Sequence, residues 1–120
     1  MYKFFNKNNR GNFVNDCVVR AISTAEHTTW DEAYDKLSDL AQYEGTLLDD
    51  SEFVENYLNT HYVRVPHYSK TVGEFASEYS KGIYLVTMPN HITVIINGVV
   101  YDTFDCRDRE MWCGWLVERK

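Results

Sequence analysis

The 120-residue chain has no excess of positive charge and no long apolar segment. Its 12 Lys and Arg residues are outnumbered by 18 Asp and Glu residues, which gives a formal net charge of −6. A protein that binds the phosphate backbone needs clustered basic residues, so the composition argues against direct nucleic-acid binding. No apolar run approaches the roughly 20 residues of a membrane-spanning helix. We therefore expect neither a membrane span nor a secretory signal.

Cysteine is also scarce, with Cys17, Cys106 and Cys113 as its three occurrences. Neither the odd number nor the spacing matches a zinc motif or a disulfide framework. We expect free thiols in a cytoplasmic protein that needs no metal and no organic cofactor. A Cys106–Cys113 disulfide is the alternative if these two residues flank a turn. Three scattered histidines have no ligand spacing either: His27, His61 and His67.

The organisation of the chain favours one domain over residues 1–120. Hydrophobic residues make up 44% and aromatic residues 15% of the sequence, which is sufficient for a core, and no linker or repeat divides it. Residues 1–14 are polar and rich in Asn, which predicts an irregular lead-in. The first half then has the apolar periodicity of helices, and the last third alternates as strands do.

Helix-start and helix-stop signals divide the first half into four helices. Thr29 with Glu32 and Thr71 with Glu74 form two capping boxes. Gly45 follows the last apolar repeat of the second helix and predicts its end. The predicted helices run over residues 16–26, 29–44, 50–59 and 71–81.

The last third changes to strand periodicity. Predicted strands cover residues 83–88, 91–96, 99–104 and 115–118, and the dipeptide Asn97-Gly98 predicts a tight hairpin between the second and third of them. The expected fold class is α+β, with amino-terminal helices packed on a carboxyl-terminal antiparallel sheet.

This hairpin predicts which side chains share a face of the sheet. A two-residue loop puts Ile96 opposite Val99, and side chains alternate between faces along each strand. His91 and Asp102 then project from the same face, one diagonal apart, which is roughly 7–8 Å between backbones. Such a carboxylate can hold one imidazole nitrogen. Asp105, beyond the strand, is the alternative carboxylate.

Cys17 lies in the first turn of the first predicted helix. Unpaired amides and the positive end of the helix dipole favour a thiolate there, and the same amides can stabilise an oxyanion. Asp16 opposes the thiolate by like-charge repulsion, whereas an imidazolium from His91 supports it. We take Asn12, as a side-chain donor, and Asp16 as the residues that border the oxyanion or substrate.

Two segments carry a resemblance to a known family. The stretch Asn15-Asp16-Cys17-Val18-Val19-Arg20-Ala21-Ile22 resembles the nucleophile segment of papain-like cysteine peptidases, and above all of small phage-encoded members with an Asp-Cys-Val-Val-Arg-Ala core. It is also similar to the corresponding segment of ovarian-tumour-type deubiquitinases. The later run from His91 through Asn97-Gly98 to Asp102 resembles the family's His strand, turn and Asp strand. The Gln that usually precedes the nucleophile is absent.

The resemblance implies a papain-like fold with a Cys17 nucleophile, a His91 general base and an Asp102 that orients the imidazole. It also implies a phage or prophage origin, a place in the host cytoplasm and a peptide or host protein as substrate.

Several alternatives stay open at the level of sequence. A catalytically inactive papain-like scaffold that binds and inhibits a host protein or defence complex is the second functional hypothesis. Arg20 is expected to form a structural ion pair with a helix carboxylate rather than to bind substrate. Trp112 and Trp115 are expected in the core, with a substrate groove as the alternative. The sequence does not determine the oligomeric state.

Overall fold

The computed structural model describes residues 1–118, which form four helices and a six-stranded mixed sheet. This confirms the α+β class. The helices are α1 (Cys17–Glu26), α2 (Trp30–Glu44), α3 (Ser51–His61) and α4 (Val72–Glu78). The strands are β1 (Tyr2–Phe4), β2 (Val63–Val65), β3 (Ile83–Met88), β4 (His91–Ile96), β5 (Val99–Asp102) and β6 (Cys113–Glu118). Each helix within residues 1–118 is too short or too polar to span a bilayer.

The helix starts follow the predicted capping residues. At α2 and α4, Thr29 and Thr71 accept from the third helical amide while Glu32 and Glu74 reach back to the cap, so both capping boxes are formed. Gly45 ends α2 with a left-handed φ of 74°. The end of α4 was predicted too far along the chain, because the helix stops before Gly82. At Tyr79 the backbone leaves helical geometry, and the chain turns into β3 four residues later.

The sheet has the order β1-β5-β4-β3-β6-β2. All neighbouring strands are antiparallel except β1, which runs parallel to β5. The expectation of a purely antiparallel sheet was therefore wrong, and so was the wholly irregular lead-in over residues 1–14. A three-residue strand is too short to show alternation, and its pairing comes from β5, almost a hundred residues later.

Two apolar layers cover the two faces of this sheet. Helices α1, α2 and α3 pack on one face and α4 packs on the other. Trp115 is fully buried against the three-helix layer, and its indole N–H donates to Asn59 Oδ1 at 2.9 Å. Trp112 was expected in the core but is 53% exposed. Close packing leaves no room for a side chain at Gly114 in β6, because a Cβ there would lie 2.5 Å from the Phe75 ring.

Candidate active site

The hairpin of β4 and β5 has the predicted register. Ile96 pairs with Val99 and Val94 pairs with Tyr101, so side chains alternate between the faces as the sequence indicated. His91, at the start of β4, and Asp102, at the end of β5, consequently meet at one end of the sheet. The distance from His91 Nε2 to Asp102 Oδ2 is 2.7 Å, which is a short charge-assisted hydrogen bond.

Asp102 is almost fully buried, and each of its oxygens has a defined partner. Oδ2 faces the imidazole, whereas Oδ1 accepts from the amide of Thr103 at 2.7 Å and from Arg20 Nη1 at 3.1 Å. Burial tends to raise the pKa of this carboxyl. The hydrogen bond and charge of His91 outweigh burial, so the pKa of Asp102 lies below its ordinary value. The carboxylate is therefore ionised at neutral pH and fixed in orientation.

The His91 ring is held from several directions. Its side chain is only 7% exposed, and its ring centroid lies 4.8 Å from that of Phe104. Burial tends to lower the pKa of the imidazole, but the hydrogen bond to Asp102 and the interaction with the Cys17 side chain raise it to about 9. Because Asp102 occupies Nε2, the nitrogen left for a thiol is Nδ1. Asp102 therefore fixes the orientation of the ring and favours its protonated form.

Cys17 is the first residue of α1 and is partly buried. It lines a small pocket together with Asp102, Phe5, Lys7 and Tyr101. The cavity volume is only about 10 Å³, which is room for no more than one water molecule. Cys17 and Asp102 thus share one pocket, and Cys17 is close enough to His91 to raise the pKa of the imidazole.

The residue before the thiol, Asp16, does not cap its own helix. It is the N-cap of α1, yet its carboxylate makes no capping hydrogen bond. Oδ1 accepts from Arg20 Nε at 2.7 Å, and Oδ2 accepts from Trp30 Nε1 at 2.9 Å and from Asn8 Nδ2 at 3.3 Å. The Asp16 carboxylate thus holds Arg20, Trp30 and Asn8 together next to the thiol. Because it only accepts hydrogen bonds, it cannot donate one to an oxyanion. The first-turn amides of α1 receive no side-chain cap.

The other expected neighbour of the thiol, Asn12, is exposed, and its carbonyl accepts from Asn6 Nδ2 at 3.2 Å. Among residues 1–118 no hydrogen bond joins its side chain to Cys17, and Asn12 does not line the pocket that contains the thiol. The buried amide of this segment is Asn8, which is 4% exposed and joins the lead-in loop to Asp16. The sequence could not single out Asn8, because residues 6–15 contain five asparagines and composition alone does not distinguish one from another.

Arg20 links the two halves of the site. The predicted ion pair with a helix carboxylate is present, between Nε and Asp16 at the N-cap of α1. Nη1 reaches further, to Asp102 Oδ1 and, at 3.0 Å, to Thr103 Oγ1. The guanidinium is only 12% exposed. One buried cation therefore ties the residue before the thiol to the carboxylate that holds the imidazole.

Asp105, the alternative carboxylate, lies away from the ring. It is exposed and pairs with Arg107 at 2.7 Å. The geometry therefore selects Asp102.

One group of possible metal ligands exists among residues 1–118. It consists of His91, Asp102 and Cys106, whose donor atoms lie within 4.8 Å of one another. Two ligands of a tetrahedral zinc ion at about 2.1 Å each are about 3.4 Å apart, so 2.7 Å between Nε2 and Oδ2 fits a shared proton better than a shared metal. Burial, with the charge of Asp102, also raises the pKa of Cys106 to about 12, which keeps this thiol protonated.

Comparison of the chain with protein-family models, with curated proteins and with solved structures found no match. The resemblance to papain-like peptidases stays a prediction that rests on the two sequence segments.

Proposed function

We propose that this protein is a cysteine hydrolase that cleaves a peptide or amide bond with Cys17 as nucleophile, His91 as general base and acid, and Asp102 as the residue that orients the imidazole. The observation that carries the proposal is the 2.7 Å hydrogen bond between a buried imidazole and a buried carboxylate. It lies beside a thiol at the first position of a helix. A nucleophile, a base next to it and a group that orients the base are the minimal set for this chemistry.

The reaction follows from the orientation of the ring. His91 Nδ1 takes the proton from Cys17 Sγ, and the thiolate attacks the carbonyl carbon to form a tetrahedral intermediate. The imidazolium then donates that proton to the leaving nitrogen as the C–N bond breaks, which leaves a thioester on Cys17. Water, deprotonated by His91, hydrolyses the thioester and restores the thiol. Asp102 keeps Nε2 protonated and stabilises the imidazolium throughout.

The uncapped start of α1 supports the proposal as a place for the oxyanion. Asp16 directs its carboxylate to Arg20 and Trp30, so no side chain occupies the first-turn amides. These N–H groups, among them that of Cys17, are donors next to the attacking sulfur. The oxyanion is therefore assigned to backbone amides, and no side chain is required in the position that we expected Asn12 to fill.

The papain-like character, the phage or prophage origin, the cytoplasmic location and a host protein as substrate are parts of the same proposal. The papain-like character is supported by the order Cys17, His91, Asp102 along the chain and by a thiol at a helix start, and the cytoplasmic location by three free cysteines. The phage or prophage origin and the host protein rest on the resemblance of the two sequence segments alone.

Differential alkylation tests the hydrolase. Intact protein is treated with iodoacetamide at pH 6.5, and labelling of each cysteine is followed by peptide mass spectrometry. Cys17 should react at least about tenfold faster than Cys106 and Cys113, because the neighbouring imidazole of His91 can accept the proton of its thiol. His91→Ala should remove the advantage, and Lys81→Ala at an exposed distant position should not. Equal, slow labelling of all three cysteines would contradict the proposal.

A non-catalytic binding scaffold is the second candidate. The narrow pocket beside Cys17 favours it, since about 10 Å³ admits a water molecule but no substrate side chain. If this alternative holds, Cys17 is alkylated slowly by iodoacetamide. The Cys17→Ala variant should then bind the same partner in a pull-down as the wild-type protein does. The same labelling experiment therefore separates the two functions.

A further inference from the structure

Exposed large hydrophobic side chains concentrate in the segment that leads to the thiol. Phe4, Phe5, Phe13 and Val14 are 55%, 38%, 73% and 56% exposed. The Phe4 and Phe13 rings are 6.4 Å apart, and the Phe5 ring lies edge-on to Tyr101 at 6.3 Å, at the wall of the pocket that contains the thiol. Single exposed apolar residues are ordinary, whereas a group of them beside a reactive side chain marks a contact surface.

The same segment has a local charge opposite to that of the protein. Residues 1–14 contain Lys3, Lys7 and Arg10 and no carboxylate, in a chain of net charge −6. Arg10 is paired with Asp31 at 2.8 Å. Lys3 and Lys7 form no ion pair within the described part of the chain, and Lys7 lines the pocket with the thiol. A ligand approaching the site from this side meets apolar rings and unpaired positive charge.

The backbone of β1 adds a third feature. β1 is the outermost strand of the sheet, and no strand among residues 1–118 pairs with its other edge. An open strand edge is a template for an extended chain, which adds as a further strand through main-chain hydrogen bonds. β1 leads directly into Phe5, so a peptide lying along this edge runs toward Cys17.

We infer that the surface formed by Phe4, Phe5, Phe13, Val14 and Lys7, which we name the amino-terminal face, receives an extended acidic peptide with interspersed hydrophobic residues. The inference rests on the proposed hydrolase function and specifies its substrate class. Charge complementarity selects carboxylates, and the exposed rings select hydrophobic side chains. Single-stranded nucleic acid also combines rings with negative charge, but a long polyanion would be repelled by the net charge of −6 over the rest of the protein.

Peptide binding to a variant that cannot turn over tests the substrate class. Cys17→Ser is titrated against three fluorescein-labelled eight-residue peptides, and anisotropy gives each dissociation constant. The peptides alternate Leu with Asp, Leu with Asn, and Ser with Asp. The Leu–Asp peptide should bind about tenfold more tightly than either of the other two peptides. The Leu–Asn peptide lacks the negative charge and the Ser–Asp peptide lacks the hydrophobic side chains. Its affinity should also fall between 50 and 300 mM salt.

Surface variants locate the binding site. In the Cys17→Ser background, Lys7→Gln and Phe13→Ser should each weaken the Leu–Asp peptide by about fivefold. Lys81→Gln and Tyr68→Ser are the matched controls, since both residues are exposed and remote in sequence from this face, and they should leave the affinity unchanged. Equal binding of the three peptides, or equal effects of the control variants, would overturn the assignment.

Three further outcomes have distinct meanings for the amino-terminal face and for the proposed hydrolase. Tighter binding of an oligothymidylate than of the Leu–Asp peptide, abolished by Lys7→Gln, would assign the face to nucleic acid and overturn the peptide assignment. Rapid alkylation of Cys17 without any peptide preference would refute the amino-terminal face and leave the hydrolase standing. Slow alkylation of Cys17 with intact selectivity for the Leu–Asp peptide would refute the hydrolase and leave the amino-terminal face standing as a peptide-binding surface.

Discussion

Removal of the Arg20 side chain is the perturbation that tests the site most directly. The guanidinium donates to Asp16 Oδ1 at 2.7 Å and to Asp102 Oδ1 at 3.1 Å, and all three side chains are nearly buried, with exposures of 12%, 7% and 3%. Arg20→Ala leaves two carboxylates in a poorly solvated environment without their shared cation. Burying an uncompensated charge costs much more than losing a surface contact.

The expected loss of stability in Arg20→Ala depends on the hydrogen-bond donors that each carboxylate retains. Asp16 retains the Trp30 indole and the Asn8 amide, and Asp102 retains His91 and the Thr103 amide. Breaking a buried pair costs about 3–5 kcal/mol, and these remaining donors place the expected loss in the free energy of unfolding near the lower limit, at about 3 kcal/mol. For a domain of this size the corresponding fall in Tm is on the order of 10 °C.

Urea unfolding followed by tryptophan fluorescence measures this loss. Arg10→Ala is the matched control, because Arg10 also pairs with an aspartate at 2.8 Å but both partners are about half exposed, at 58% and 48%. Surface pairs contribute on the order of 0.5 kcal/mol. If Arg20→Ala costs no more than Arg10→Ala, the double ion pair does not hold the site together and the reasoning is refuted.

The charge of Arg20 has a second consequence that a purely structural role does not have. Arg20→Gln removes a cation near the protonated imidazole, so the pKa of His91 should rise above its value of about 9 in the wild-type protein. The ring signals in an NMR titration report this change. A fall in the pKa of His91 would show that Arg20 acts by holding Asp102 against the ring and not through its charge.

Three other predictions concern the same residues. The raised pKa of His91 means that its charge stabilises the fold fully below pH 6.5, and this stabilisation, about 3 kcal/mol at about 1.4 kcal/mol per pKa unit, is lost as the pH rises to about 9. The difference between wild type and His91→Gln in urea midpoints should therefore vanish by pH 10. Cys106, whose pKa is raised to about 12, should be alkylated only in urea, and labelling of the native thiol would contradict its burial. Asp102→Asn should slow Cys17 alkylation about 100-fold or more, whereas Asp105→Asn should not change it, and equal effects would reject Asp102 as the orienting group.

Local signals in the sequence were sufficient for most of the secondary structure. The capping boxes at Thr29 and Thr71 predicted helix starts because a cap is a contact between residues three apart. The Asn97-Gly98 turn fixed the register of the hairpin, since both residues adopt positive φ, and that register alone placed His91 and Asp102 on one face. The hydrogen bond between them is thus a consequence of local chemistry.

What the sequence determined by itself is therefore the class of the fold, the helix starts and the pairing of imidazole with carboxylate. Long-range packing decided the rest. The pairing of β1 with β5 joins residues almost a hundred positions apart, and the hydrogen bond from the Trp30 indole to Asp16 joins residues 14 positions apart. The second arm of Arg20, to Asp102, spans 82 positions. No local pattern encodes such contacts, because a side chain with several possible partners is committed only when burial removes water as the competitor.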